Sequence, residues 1–295
     1  MTVGDGMSGF IDAANLLPAE IRPAVITLPE NKKLRAEEFR LRIGQLPTIL
    51  IDGAEREIPG TERVDRKDLQ RVLELATGAS PYASAEAVRR GYASAPGGVR
   101  VGFCGRVRPG SGGLWALEGI TSTSIRIPRE VRGCAEPYGT LPVVSTLIIS
   151  PPGGGKTTLL RDLVRICSEK GFRVALCDER GELSSCSWDG FGFIIGKHTD
   201  VLVDLPKAQA AMQLIRTMNP QILAMDEISD VADAAACRTA CGCGVSILAT
   251  AHGNSLTDVL SRPVLGELLR SGAFSRFIVI SVRGGSRFSR EEGLP

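Results

Sequence analysis

Residues 144–161 read VSTLIISPPGGGKTTLLR, and the fold turns on how that stretch is parsed. Val144 to Ile149 is a short β-branched run, the pattern of a buried strand. Pro151-Pro152-Gly153-Gly154-Gly155 continues neither a strand nor a helix. From Lys156 onward, apolar residues fall at Leu159, Leu160, Leu163, Val164 and Cys167, which is helical spacing. Strand, Gly-rich loop, Lys-Thr and helix, in that order, is the phosphate-binding P-loop arrangement. Gly153, Gly154 and Gly155 let backbone N–H groups approach phosphate oxygens with no Cβ in the way. The helix that opens at Lys156 adds its own amides and the positive end of its dipole. The phosphate-binding set is therefore Pro152, Gly153, Gly154, Gly155, Lys156, Thr157 and Thr158. Lys156 supplies a point charge, and the Thr157 hydroxyl is the expected ligand of Mg²⁺, an ion that keeps most of its waters. The first position of the usual Gly-x-x-x-x-Gly-Lys-Ser/Thr spacing is Ser150 here. That is the less demanding glycine of the motif, because the inward turn lies at 153–155.

Downstream of residue 143, strands alternate with helices, which implies a mostly parallel sheet. Candidate strands are Val144–Ile149, Arg173–Cys177, Ile222–Met225, Val245–Ala249 and Phe277–Val282. Ligands of such sheets bind beyond the carboxyl ends of the strands. The polar residues found there are Asp178-Glu179-Arg180-Gly181-Glu182, Asp226-Glu227 and Thr250-Ala251-His252-Gly253. They are expected to converge on one nucleotide, ATP with Mg²⁺. Asp226 ends the apolar run ILAM, the Walker B arrangement, so its carboxylate is placed to hold the metal's water shell. Glu227 is placed to orient or deprotonate an attacking water. His252 is positioned to contact the γ-phosphate. Lys207–Met218 is an amphipathic helix whose terminal Arg216 either reaches the nucleotide or a neighbouring subunit, or simply complements the helix dipole.

The chain has 295 residues, enough for two domains. Its composition, 43% hydrophobic and 23% charged, is ordinary for a globular chain with a buried core. A net charge of +2 implies no large electrostatic footprint for nucleic acid. No basic-then-apolar leader opens the chain, and no run approaches the length of a transmembrane helix. The eight cysteines are expected as reduced thiols, several of them inside apolar runs. Cys237, Cys241 and Cys243 have a metal-like spacing but lie in an Ala-rich helical stretch, where small packed residues fit better.

The first half reads as a smaller α+β domain, residues 1–130, joined by a Pro/Gly-rich linker over 131–142 to a P-loop domain over 143–295. Its opening is weakly patterned, with Gly4, Gly6 and Gly9 ahead of a short helix around Ile11–Leu17. Phe39, Leu41 and Ile43 alternate with Arg40 and Arg42, as on a strand with one apolar face. Leu46–Ile51 leads into an Asp52-Gly53 hairpin turn. Val64–Ala76 is an amphipathic helix with Asp65 as N-cap, and Pro81–Arg90 is another. Tyr92–Val107 reads as a hairpin and Ile120–Ile127 as a strand.

Taken together, these segments resemble the stage III sporulation protein AA family, bacterial ATPases related to the type II and type IV secretion and pilus motors. The matching segments are LRIG (41–44), SPYA (80–83), GYASAPGGVRVGFCGR (91–106), SIRIPRE (124–130), ISPPGGGKTTLLRD (149–162), CDERGE (177–182), HTDVL (198–202), LIRTMNPQILAMDEI (214–228) and ATAHG (249–253). By this similarity CDERGE matches the motors' acidic box, MDEI their Walker B and TAHG their histidine box. Those motors usually carry Gly before the Walker B Glu, where Asp226 stands here. The Mg²⁺ role is thus shared between Asp226 and Asp178 or Glu179, and the water-positioning role between Glu227 and Glu179. The resemblance implies a RecA-like secretion-ATPase fold and a cytoplasmic, hexameric ring of identical subunits. It further implies a peripheral seat on the inner face of a membrane and docking to membrane-channel proteins of a sporulation complex. Arg126 and Arg129 are candidates to complete the site. The competing class is a nucleotide-regulated nucleic-acid-binding protein, whose warrant is the Arg-rich first half. Aromatics make up only 5% of the chain, so stacking platforms for bases are scarce and no specific nucleic acid is expected.

Overall fold

Period-two alternation shapes the first half of the chain. The computed structural model describes residues 5–109, 115–128, 131–139, 143–187, 190–283 and 286–293. Strands β1 (Ala36–Arg42), β2 (Thr48–Ile51), β3 (Ala54–Glu57), β4 (Tyr92–Ala95), β5 (Val99–Pro109) and β6 (Trp115–Arg126) form one antiparallel sheet of order β3-β2-β1-β6-β5-β4. Helices α1 (Asp5–Asn15), α2 (Arg22–Ile26), α3 (Glu30–Lys33), α4 (Arg66–Ala76) and α5 (Pro81–Arg90) accompany it. Phe39, Leu41, Ile49, Val101 and Ile125 from the sheet share a core with Phe10 of α1 and with Leu69 and Val72 of α4. Phe10 meets Phe39 edge-on, ring centres 5.5 Å apart. The β2–β3 hairpin turns on Asp52 and Gly53, both at positive φ as a two-residue primed turn requires.

Two expectations for this half need correction. The first helix starts at Asp5, well ahead of Ile11, and runs through Gly6 and Gly9. Gly9 lies on the Pro128 carbonyl, where an added Cβ would come within 2.2 Å of the oxygen. A residue that reads as a helix breaker is there for close approach. Ile43 lies past the end of β1 and is 39% exposed, so only Phe39 and Leu41 hold the apolar face.

From β7 (Thr146–Ser150) onward the central strands of the second sheet are buried on both faces. Next come α6 (Lys156–Glu169), β8 (Val174–Asp178), a short hairpin of β9 (Cys186–Ser187) and β10 (Gly190–Phe191), and β11 (Thr199–Val203). Then follow α7 (Lys207–Met218), β12 (Ile222–Met225), α8 (Val231–Gly242), β13 (Ser246–His252), α9 (Leu256–Leu260), α10 (Pro263–Arg270), β14 (Arg276–Arg283) and β15 (Ser286–Glu292). The sheet order is β11-β8-β12-β13-β7-β14-β15, parallel throughout except for β15. Leu147 and Ile149 pack toward α7, α8 and α10, while Ile148 between them packs toward Leu159, Leu160 and Leu163 of α6. Full burial of β7, β8 and β12 follows from helices on both faces. The α/β class with a mostly parallel sheet is as the sequence implied. Residues 131–139 lie against α6. The Ala135 amide donates to the Asp162 carboxylate at 2.8 Å, Lys170 donates to the Gly139 carbonyl, and Gly139 abuts Ile166.

The chain forms two compact units. One comprises Val131–Ser184 and Ile194–Pro295; the other comprises Thr2–Glu130 and also Ser185–Phe193. The excursion at 185–193 thus belongs with residues 2–130, the first unit in chain order, and it packs on the β4–β5 turn. An added Cβ on Gly98 would lie 2.8 Å from the Phe193 ring, and one on Gly192 would lie 2.6 Å from the Gly98 nitrogen.

Candidate active site

Chain direction places the site. In a parallel sheet all the carboxyl ends lie along one edge, and the loops after β7, β12 and β13 meet there. After β7, each glycine of the loop has its own reason. Gly153 and Gly155 sit at φ +72 and +98, where side chains are strained. Gly154 needs room, since a Cβ on it would lie 1.9 Å from Ser150 Oγ. Ser150 is fully buried; its hydroxyl donates to the Pro151 carbonyl at 2.8 Å, and its own carbonyl accepts from the Gly253 amide at 3.2 Å. The residue that departs from the glycine pattern thus ties the loop to the end of β13. Helix α6 has Gly155 as its N-cap, which offers no side-chain bond. A glycine-rich backbone before an uncapped helix start fits an anionic ligand.

The β12 and β13 loops supply the side chains. Thr157 Oγ1 donates to Asp226 Oδ2 at 2.9 Å, and Thr250 Oγ1 donates to Asp226 Oδ1 at 2.6 Å. The Glu227 amide donates to Thr250 Oγ1 at 2.8 Å and to Asp226 Oδ1 at 3.1 Å. Glu227 itself sits at φ +40, an unusual backbone for a residue with a side chain. Its Oε2 lies 3.0 Å from His252 Nε2 and 3.7 Å from Lys156 Nζ. Lys156 is only 12% exposed, so its charge sits in a partly desolvated place. His252 Nδ1 is buried and lacks a hydrogen-bond partner among the described residues. Lys156, Thr157, Asp226, Glu227 and His252 are therefore brought together, although they come from three separate loops.

The acidic residues after β8 are placed differently. Asp178 is buried, and its carboxylate accepts from the Leu183 amide at 3.1 Å and from the Ser184 amide and hydroxyl at 2.7 Å each. Burial holds its pKa above the ordinary carboxylate range, and these hydrogen bonds offset part of that. Its hydrogen bonds close the 178–184 turn and do not go to Thr157 or Asp226. Arg161 of α6 fastens the same turn by donating to the carbonyls of Glu182 and Leu183 at 2.6 and 2.8 Å. Glu179 and Pro152 are exposed, and Thr158 is half-buried at the start of α6. Arg216 is exposed near the end of α7. Arg126 ends β6 in the other unit, paired in register with Glu38 and Arg100, and Arg129 lies outside the described residues.

Lys207 was not expected at the site, and Thr250 was expected there only as part of the strand-end run 250–253, with no role of its own. Thr250 precedes His252 by two, so both lie on one face of β13, and that spacing was the available signal. Lys207 Nζ donates to the Glu227 carbonyl and lies 3.1 Å from Asp233 Oδ2, contacts that no sequence pattern announces. Among the described residues no group of three or more His, Cys, Asp and Glu could hold a metal. A Thr hydroxyl beside an Asp carboxylate is instead a hard-oxygen pair of the kind that suits Mg²⁺, which needs few protein donors. Cys237 packs inside the core, its Sγ 3.7 Å from Met225 Sδ, and Cys241 Sγ lies 3.6 Å from the Ala273 carbonyl.

A family profile described as sporulation stage III, protein AA, matches residues 11–289. The chain belongs to the sporulation stage III protein AA family. The stage III sporulation protein AA of Bacillus subtilis (strain 168) is 36% identical over 281 residues, 92% of this chain and 90% of that one. Among solved structures, the pilus retraction motor PilT with bound ADP superposes with a TM-score of 0.64 at 16% identity. That match covers 88% of this chain and 79% of PilT. The ATPase DotB of Legionella pneumophila gives 0.59, also at 16% identity, over 87% of this chain and 76% of DotB. At such identity the likeness speaks for the fold, so this member of the sporulation family has a fold in common with the pilus retraction motor PilT and the ATPase DotB. No described helix is long and apolar enough to cross a membrane.

Proposed function

We propose that this sporulation protein is an ATP hydrolase that turns the nucleotide cycle into motion of a homo-oligomeric, hexameric ring. The ring would sit in the cytoplasm at the inner face of a membrane and energise channel proteins of the same sporulation complex. The observation that carries the reading is the convergence of Thr157, Asp226, Glu227, Lys156 and His252 around an uncapped helix start. Bound ATP and Mg²⁺ would supply the phosphoanhydride bond and the cation that neutralises its charge. The amides of Gly153–Gly155 would line the phosphates, and Lys156 would pair with the outer ones. Thr157 and Asp226, already hydrogen-bonded to each other, would hold the cation's first shell or its waters. Glu227 would orient water and take its proton at Oε2, a reading supported by the 3.0 Å approach of His252 Nε2 to that oxygen. Asp178 would serve the site indirectly, by fixing the loop after β8.

The test is ATP hydrolysis measured against protein concentration, with mass by light scattering, for the wild type beside Lys156→Ala. Specific activity should rise as a hexamer-sized species forms, and fall by about 10²-fold or more in the variant. A monomer with flat activity at all concentrations would overturn the ring, and equal activity in Lys156→Ala would overturn the site.

A further inference from the structure

We infer that Lys207 is a positioning residue for Glu227, acting through the Glu227 main chain. The inference rests on the hydrolase reading only for its kinetic consequence. Glu227 follows the end of β12 in a left-handed backbone, φ +40, which a residue with a side chain holds only if its peptide groups are fixed from outside. The N–H is fixed by Thr250 Oγ1 at 2.8 Å. The carbonyl is fixed by the Lys207 ammonium. The next amide, Ile228, is fixed by the Thr250 carbonyl at 2.8 Å. Thus β13 holds one side of the turn, and α7 holds the other through a single side chain.

The surroundings of Lys207 show what it is for. It is the first residue of α7, behind a Pro206 N-cap that offers no side-chain bond. A cation there opposes the helix dipole, so the lysine does not serve its own helix. It is 14% exposed, and its charge is balanced by Asp233, itself 3% exposed and 3.1 Å away. Asp233 also accepts from the Ser229 amide at 3.0 Å and hydroxyl at 3.1 Å. Ammonium, carboxylate and hydroxyl thereby join α7 and α8 to the 227–229 turn. With the carbonyl of Glu227 held, its side chain leaves the turn toward His252 and Lys156. Without the ammonium, the 227–228 peptide is held only through its Ile228 amide, and Oε2 loses one of the anchors that fix its place.

Lys207→Met alone strands a buried carboxylate, so Lys207→Met with Asp233→Asn is tested beside it, and thermal melting confirms that each variant is folded. Two readouts are taken. Amide hydrogen exchange without nucleotide should show Glu227 and Ile228 exchanging at least about tenfold faster, with the β12 amides unchanged. Steady-state hydrolysis should show kcat down by about 10²-fold, with KM for ATP moving less than about twofold. The kcat loss should vanish when the same change is made on a Glu227→Gln background, whereas a general loss of structure would add to it. Lys207→Arg, which keeps a donor and a charge, should recover part of the rate. Unchanged exchange at 227–228 overturns the proposal whatever the activity, and so does faster exchange with an unaltered kcat in an active enzyme. If the wild type does not hydrolyse ATP, the hydrolase reading falls, and the exchange result alone decides the clamp.

Discussion

Burial sets the chemistry of individual side chains here, and the thiols show it most simply. Desolvation pushes Cys134 and Cys237 up to about 12 and Cys167 up to about 11, and it raises Cys177 as well. At pH 8 a thiol of pKa about 12 is a thiolate in roughly one molecule in ten thousand. Iodoacetamide at pH 8 should therefore modify the exposed Cys104 and Cys243 first, and reach Cys167, Cys177 and Cys237 only after denaturation. Peptide mapping by mass spectrometry checks this, and early labelling of Cys237 would contradict the packing described. At the same scale, the five residues that meet at the site could be named from spacing, because motif and strand end fix their positions. Lys207 could not, since its importance depends on the φ of another residue, and Thr250 was legible only as a member of the strand-end run 250–253. Asp178 shows the opposite limit. Its place after a strand was legible, but the partners of its carboxylate depend on how the next six residues turn back.

Helices and strands announce themselves when their ends carry chemistry. Asp65 accepts from the Lys67 and Asp68 amides at 2.6 and 3.0 Å, and the Asp68 carboxylate accepts from the Asp65 amide in return. Asp65→Ala should lower the stability of the first unit by about 1 kcal/mol, read as an earlier urea transition by circular dichroism. An unchanged midpoint would show that burial of Leu69 and Val72 fixes α4 without the cap. Elements without such marks went unread. β11 is an edge strand whose sequence TDVLV has one buried residue, and β15 is an edge strand of mostly polar residues, SRFSREE. Neither shows the buried alternation or full apolar run by which strands are found in sequence. The opening helix was mistimed because Gly9 is small for a contact with Pro128, which is distant in sequence.

For the whole molecule, sequence reading divides a chain by cutting it in order, whereas contacts follow space. Residues 185–193 belong with the first unit, although they are made after the P-loop. Their fit against Gly98 depends on two glycines almost a hundred residues apart, a relation no local pattern carries. If a protease site is built into residues 140–142 and cut, the fragments should stay together on gel filtration, since the second carries a piece of the first unit's packing. Separation into two independent peaks would refute that. The same lacing bears on how the protein is made. As the ribosome delivers the chain from its amino end, the first unit cannot close its packing when residue 130 emerges. It must wait for Phe193, while β7, α6 and β8 are already being synthesised. Completion of the two units is therefore interleaved in time, and a chain stalled between β8 and β9 would hold neither unit in finished form.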